Sequence, residues 1–230
     1  MKYLNLLLAL LFLISCQENQ KKEAEKQQIE TQSLIENNEK SILHSIAEAH
    51  GFKNWDKISS LEYTFNIDRG GRHMERNWIW NPKTGEVEMM IDAQKTKFNT
   101  NNVDDDLAEA HQKFINDKYW LLFPFQLVWD DGFSHEIKEN IKAPISGDES
   151  TQVTIQYNKN DGYTPGDKYK IYVNNSNQIQ EWGYYPGGQD EPATETTWED
   201  YTTQKGLKIS QMHQNKDASF KLYFTDLKIN

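Results

Sequence analysis

Residues 119–129 read YWLLFPFQLVW, the densest apolar and aromatic stretch that follows the first sixteen residues. The stretch is too short to cross a bilayer as a helix, which takes about 20 apolar residues, and Pro124 lies in its middle. Its side chains must therefore be buried in the folded chain or hold an apolar molecule. We predict a helical or kinked plug that packs against a curved sheet.

A helical pattern leads into this plug. It begins after the acidic residues 104–106 and places Leu107, Ala110, His111 and Phe114 on one face. Three consecutive carboxylates do not follow the alternating spacing of a calcium loop, whereas carboxylates are favourable near the positive end of a helix dipole. We therefore interpret residues 104–106 as the start of a helix.

Most of the remaining chain alternates between apolar and polar residues, which is the period of a strand with one buried face. Gly, Asn, Asp and Pro clusters separate most of these runs, so neighbouring strands are expected to pair antiparallel. The pattern predicts about eleven strands, at residues 61–67, 78–80, 87–91, 96–99, 133–141, 152–157, 168–173, 178–185, 194–201, 206–212 and 220–229.

A second, shorter helical pattern starts at Ser41 and ends at Gly51, which is typical of a helix C-terminus. Two helices can cover one face of so many strands only if the sheet bends around them. We therefore predict a mainly β (α+β) fold, an antiparallel unclosed β-barrel with an N-terminal helix and a central helical plug or lid. A closed barrel with helices at its mouth and a flat sandwich are the alternatives.

Residues 1–16 have the form of an export signal, with Lys2 followed by an apolar run that ends in Leu13-Ile14-Ser15-Cys16. This tetrad resembles a bacterial lipobox, and the resemblance implies that Cys16 is acylated and anchors the protein to a membrane. Cys16 is the only cysteine of the chain, so an acylated protein has no thiol for catalysis, metal binding or a disulfide.

Residues 17–40 are almost entirely Gln, Glu, Lys and Asn, and predict a disordered polar tether before a single β-rich domain at residues 41–230. The formal net charge of −10 argues against nucleic acid as a partner and against a basic patch for lipid head groups. The sequence does not indicate an oligomeric state.

An acylated cysteine, a polar tether, an opening helix, about eleven antiparallel strands and a midway helical insertion resemble the lipoprotein-localisation (LolA/LolB-like) superfamily. The runs YWLLFPF from Tyr119, GYTPGDKY from Gly162 and WEDY from Trp198 also resemble a family of uncharacterised bacterial lipoproteins. The superfamily resemblance implies an unclosed barrel whose helices cover a cavity for acyl chains or another hydrophobic guest.

No motif for catalysis, a metal or a cofactor emerges from the chain. The Gly-x-Ser-x-Gly pentad of serine hydrolases and the His-Glu-x-x-His motif of zinc enzymes are both absent. Gly162 and Gly166 are followed by no Lys-Ser/Thr pair and are best interpreted as a tight turn. We therefore predict a protein that is not an enzyme, with no catalytic residue, no metal and no cofactor.

The chain also contains many aromatic residues, which can either fill the core or line a cavity. The predicted ligand-binding residues are Trp78, Trp80, Trp120, Phe123, Phe125, Trp129 and Trp182.

The leading hypothesis is a lipid-anchored envelope protein that binds a lipid or acyl chain in a half-barrel cavity. The alternatives are a non-enzymatic interaction or scaffold lipoprotein and a glycan-binding surface lipoprotein. Gln17 follows the predicted anchor where some inner-membrane lipoproteins carry aspartate, which favours the outer membrane by resemblance to sorting rules. The choice between its periplasmic face and the cell surface stays open.

Overall fold

A computed structural model describes residues 42–159 and 164–230 of the 230-residue chain. The predicted export signal, its lipidation residue Cys16 and the predicted tether lie outside the described residues. Residues 43–230 form one compact unit with its own core. Of the helices that the structure describes, none is long and apolar enough to span a membrane.

The described residues contain two α-helices, three short 3-10 helices and thirteen strands. The helices are α1 (residues 42–49), α2 (Ala108–Trp129) and the 3-10 segments Phe52–Lys57, Asp105–Leu107 and Pro186–Gly188. The strands are β1 (Leu61–Arg69), β2 (Arg72–Trp80), β3 (Glu86–Ile91), β4 (Gln94–Asn99), β5 (Phe133–Lys142), β6 (Glu149–Tyr157), β7 (Lys168–Val173), β8 (Ile179–Tyr185), β9 (Thr194–Thr197), β10 (Thr202–Gln204), β11 (Leu207–Ile209), β12 (Met212–Gln214) and β13 (Phe220–Ile229).

Eleven of these strands build one curved, unclosed wall. A six-stranded sheet has the order β12-β13-β1-β2-β3-β4, a five-stranded sheet has the order β5-β6-β7-β8-β9, and all neighbours pair antiparallel. The sheets meet just after β9, where the Glu199 amide donates to the carbonyl of Met212 at 2.9 Å. The predicted unclosed antiparallel fold is therefore confirmed.

The two further strands, β10 and β11, form a separate hairpin. Its turn contains Lys205 and Gly206 with φ angles of 50° and 82°, which end one strand and start the next. The alternation predicts one strand over residues 206–212, whereas the chain leaves β11 at Ser210 and enters the wall at β12. Alternation alone does not reveal this change of partner strand.

Helix α2 is the predicted kinked plug and lies against the inner faces of both sheets. Its backbone departs from helical geometry at Leu122, with φ −123° and ψ 22°. Pro124 explains the kink, because proline lacks an amide donor and its ring crowds the preceding turn. The acidic residues Asp105 and Asp106 do occupy the first turn leading into α2, although Asp104 makes no side-chain cap hydrogen bond.

Helix α1 ends just before Gly51, the predicted helix terminus, which has a φ angle of 93°. A Cβ atom there would lie 2.0 Å from the carbonyl oxygen of Gly206, so both the backbone angle and the close approach require glycine. The Lys208 amide donates to the His50 carbonyl at 2.9 Å next to this contact. The end of α1 is thereby fixed to the β10–β11 hairpin.

Candidate functional site

One face of helix α2 is closed by tight packing against the six-stranded sheet. The ring of Phe114 lies 5.4 Å from the rings of both Trp78 and Trp80 and 6.0 Å from that of Phe98, measured between centroids. Leu121 and Phe125 continue the same buried cluster along the helix. These side chains hold α2 against the wall by close packing of their rings.

A buried ion pair fixes the position of α2 along strand β2. Arg76 donates from Nε to Oδ2 of Asp117 at 2.7 Å and from Nη2 to Oδ1 at 2.6 Å, and the Trp78 Nε1 donates to Oδ2 at 2.8 Å. Burial raises the pKa of Asp117, and the hydrogen bonds from Arg76 oppose this shift. Because the two donors approach both carboxylate oxygens in a fixed fork, the pair sets one register between helix and strand.

The opposite face of α2 lines an open groove with a cavity volume of about 430 Å³. Its helix residues recur at a spacing of four, so they share one face. The other wall comes from β7, β8 and the segment before β7. The groove, as named below, is lined by His111, Gln112, Ile115, Asn116, Tyr119 and Trp120 of α2 and by Thr164, Asp167, Tyr169, Trp182 and Tyr184.

The walls of the groove are mostly aromatic. Trp120 meets Trp182 edge-on with ring centroids 4.4 Å apart, and Tyr169 stacks on both Trp182 and Tyr184 at 5.3 Å. Tyr119 adds its ring 5.4 Å from Tyr169. Contacts among the rings restrain them, so the groove is largely preformed and can gain apolar burial without much loss of side-chain entropy.

Two phenols at the groove are held in their neutral form. The Tyr184 hydroxyl donates to Oδ2 of Asp167 at 2.9 Å, and burial with this carboxylate raises the pKa of Tyr184 to about 12. The Tyr119 hydroxyl is hydrogen-bonded to that of Tyr157, which donates to Asp130 at 2.6 Å. Burial raises the pKa of Tyr119 as well.

His111 and Trp182 are two further lining residues that carry polar atoms. Partial burial and the neighbouring Lys118 lower the pKa of His111, which favours its neutral form at neutral pH. The Nε1 atom of Trp182 is buried and makes no hydrogen bond with any part of the chain that the structure describes. The Nε1 atoms of Trp80 and Trp198 are likewise buried without a partner among the described residues, so this feature does not single out the groove.

The structure separates the seven predicted ligand-binding aromatics into two groups. Trp120 and Trp182 line the groove, and Phe123 is buried directly behind it, 5.0 Å from Trp182. The other four pack on the closed side of α2 and do not line the groove: Trp78, Trp80, Phe125 and Trp129. A role in binding stays a prediction for all seven.

The sequence interpretation missed the helix side of the groove. The sequence pattern places His111 on the same apolar face as Phe114 and does not single out Gln112, Ile115 and Asn116. The helix side of the groove is formed by pairs of residues that repeat every four positions, at 111/112, 115/116 and 119/120. This repeat can be recognised as a separate face only once the closed face of the helix is known. Within residues 42–159 and 164–230, no group of three or more His, Cys, Asp or Glu side chains is arranged to hold a metal ion.

An unclosed antiparallel wall around a central helix, with an aromatic groove beside that helix, defines the structural class of this chain. Among solved structures the chain is similar to a DUF1329 family protein from Desulfovibrio piger ATCC 29098, with 10% identity, a TM-score of 0.52, and coverage of 84% of this chain and 92% of that one. This likeness shows a shared fold.

The chain is also similar to a LolA superfamily protein from Nitrosomonas europaea, with 10% identity, a TM-score of 0.46, and coverage of 83% of this chain and 92% of that one. The predicted fold, an unclosed antiparallel wall with a central helix, is confirmed by the structure described above. No protein-family model and no curated protein sequence matches the chain.

Proposed function

We propose that this chain is a lipid-anchored protein of the bacterial cell envelope that binds a hydrophobic ligand, a lipid or an acyl chain, in the groove beside α2. The observation that carries the proposal is the aromatic groove of about 430 Å³ on a helix whose opposite face is closed. This volume falls within the range of about 300 to 1,000 Å³ that is usual for ligand pockets.

The chemistry of the groove favours an elongated apolar ligand with a small polar head. Ile115, Trp120, Tyr169 and Trp182 offer apolar surface, and each methylene group buried there contributes about 0.8 kcal/mol. Polar groups such as Asn116 lie beside this surface and would meet the head. One lining residue, Asp167, carries a carboxylate, whereas glycoside hydrolysis commonly uses two carboxyl groups on either side of the scissile bond. Binding therefore fits the groove better than catalysis does.

A neutral fluorescent probe tests the binding proposal. The chain lacking residues 1–16 retains every described contact, and we expect it to bind N-phenyl-1-naphthylamine with a rise in fluorescence. Ile115→Trp fills the groove and should weaken this binding at least tenfold, since the bulk of the indole takes the space of the probe. Val128→Trp adds the same side chain at an exposed position of the same helix and should bind as the parent does. A parent protein that binds no probe, or equal binding by both variants, contradicts the proposal.

The membrane anchor is proposed from the sequence, because the four residues Leu13 to Cys16 resemble a lipobox. One acyl chain holds a protein to a membrane only marginally, whereas two or more hold it stably. In bacteria grown with labelled palmitate, the full chain should carry the label and fractionate with the outer membrane. Cys16→Ser should lose both the label and the membrane fraction, and retention of both by this variant would refute the anchor.

A scaffold role is the second candidate, favoured by apolar side chains on the outside of the wall. Met74, Ile79 and Met90 are exposed by 41%, 46% and 39%, and such side chains can contact a protein partner. The exposed large apolar residues of the described chain include no aromatic side chain, which does not favour the glycan-binding alternative. Crosslinking in cells that recovers one protein in stoichiometric amount, lost in Ile79→Lys and kept in Ile115→Trp, would support the scaffold role over the groove.

A further inference from the structure

The charge carried by the described lining residues of the groove is negative. Asp167 brings a carboxylate to the lining, and no lysine or arginine is among the described lining residues. Two nearby cations are directed elsewhere, since Lys113 pairs with Glu109 at 2.7 Å and Lys118 lies over the rings of Trp80 and Phe114 on the closed side of α2, whereas Lys159 lies beside Gly166. On the sheet side, Lys168 lies 4.9 Å from the ring centroid of Tyr185 and donates to the carbonyl of Gly188.

Hydrogen bonds fix the position of the Asp167 carboxylate. Oδ1 accepts from the Gly187 amide at 2.7 Å and Oδ2 from the Tyr184 hydroxyl at 2.9 Å. Both donors are electrically neutral, so they orient the carboxylate without cancelling its charge. A half-buried charge acts over longer distances than a fully solvated one, because less water lies between it and a bound molecule.

The uncharged polar groups of the groove suit a neutral head group. The ring of Trp182 lines the groove, but its Nε1 is buried and offers no surface to a bound molecule. The Asn116 side chain donates to Oδ1 of Asp117 at 3.0 Å, which leaves its own carbonyl oxygen to accept from a hydroxyl or an ammonium group. A carboxylate head would meet no lysine or arginine among the described lining residues and would stand in the field of Asp167.

We propose that the groove selects single-chain amphiphiles whose head group is neutral or cationic and discriminates against those with an anionic head, with Asp167 as the residue that determines this specificity. The inference rests on the proposed function, since it concerns the ligand of the same groove.

Displacement of N-phenyl-1-naphthylamine by three amphiphiles of equal chain length tests the specificity. At neutral pH and low salt, monolauroylglycerol and dodecylamine should displace the probe from the parent at concentrations at least tenfold lower than dodecanoate. Asp167→Asn should bind dodecanoate at least fivefold more tightly than the parent does, should bind dodecylamine less tightly, and should leave the glycerol ester within twofold. Equal displacement by all three ligands in the parent overturns the inference.

A second pair of variants keeps the test valid if Asp167→Asn disturbs the turn at Gly187. Gln112 is an exposed lining residue of α2, so both charges are tolerated there. Gln112→Lys should strengthen dodecanoate binding at least threefold, and the matched Gln112→Glu should weaken it. Unchanged binding in both variants refutes control by head-group charge. Absence of probe binding by the parent refutes the proposed function itself, whereas probe binding without discrimination refutes this inference alone.

Discussion

Adjacent residues of helix α2 belong to two unlike regions of the molecule. Phe114 is buried among the rings of Trp78, Trp80 and Phe98, whereas the next residue, Ile115, is half-buried and lines the groove. One turn later, Asp117 is bonded to Arg76 on the closed side. A rotation of about 100° per residue is enough to move a side chain from one region to the other.

The comparison shows that one helix can both hold the fold and form a candidate site. Groups on the closed face, such as Phe114 and Asp117, are buried, so their removal should cost stability. Ile115 and Gln112 on the groove face are half-buried and exposed, respectively, so their removal should cost binding and little stability. The following variants test this division, in order of decreasing expected effect.

The largest effect is expected for Asp117→Ala on the closed face. The variant leaves the buried Arg76 guanidinium without its carboxylate and should lower the free energy of unfolding by about 4 kcal/mol, as measured by urea denaturation. The double variant Arg76→Met/Asp117→Leu removes both charges and should lose markedly less. A loss below about 1 kcal/mol for Asp117→Ala would show that the pair does not hold α2.

Phe114→Ala and Ile115→Ala compare the two faces directly. Phe114→Ala creates a cavity in the closed core and should lower the free energy of unfolding by about 3 kcal/mol or more, with nearly unchanged affinity for N-phenyl-1-naphthylamine in the fraction that stays folded. Ile115→Ala should lower stability by about 1 kcal/mol and weaken probe binding. Equal losses of stability in the two variants would remove the distinction between the faces.

The pH dependence of stability tests whether two buried histidines stay neutral, one of them beside the contact between the two sheets. His213 is fully buried there, 4.6 Å from Trp198 between ring centroids, and burial lowers its pKa to about 3; burial likewise lowers the pKa of His50 to about 4. In the unfolded chain both histidines bind a proton near pH 6.5, whereas in the folded chain burial keeps them neutral to lower pH. They therefore do not affect stability above pH 6.5, and they destabilise the folded chain increasingly as the pH falls toward 4.

Between pH 6.5 and 5, each of these histidines should lower the free energy of unfolding by about 1.5 kcal/mol. His213→Phe removes one titrating group and fits an aromatic cluster, so denaturation curves of this variant should show a smaller loss over the same interval. A variant with the same pH dependence as the parent would mean that His213 is not held neutral by burial.

The smallest effect is expected on the outside of the wall. Lys95 pairs with Glu88 at the surface, and exposed pairs of this kind contribute little because water and salt screen them. Lys95→Ala should change the free energy of unfolding by less than about 0.5 kcal/mol and leave probe binding unaltered. A larger change would indicate that the outer face takes part in holding the wall.

Much of the fold could be predicted from local patterns. Alternation located the strands of the wall except β12, Pro124 predicted a kinked plug, and Gly51 predicted the end of α1. Each of these features has a local cause: a side-chain period of two, a missing amide donor and a positive φ angle. The hairpin β10–β11 was missed because its separation from the wall depends on contacts with distant residues.

The candidate site could be predicted only in part. Trp120 and Trp182 were selected for their aromatic surface, but the same criterion also selected Trp78 and Phe125, which are core. Core and cavity lining have the same composition, and only the curvature of the wall decides which face of α2 is covered. Asp167, which defines the charge of the groove, lies in a turn and carried no distinguishing pattern.

Quenching of tryptophan fluorescence by a brominated acyl chain tests the central claim most directly. A titration with 9,10-dibromostearoyl glycerol should quench the chain lacking residues 1–16 and saturate at one equivalent. Quenching should fall in Trp120→Phe, at the groove, and stay unchanged in Trp55→Phe, whose ring lies against Trp129 on the closed side of α2. Quenching that is absent, or that falls in Trp55→Phe instead, would contradict a ligand site in the groove.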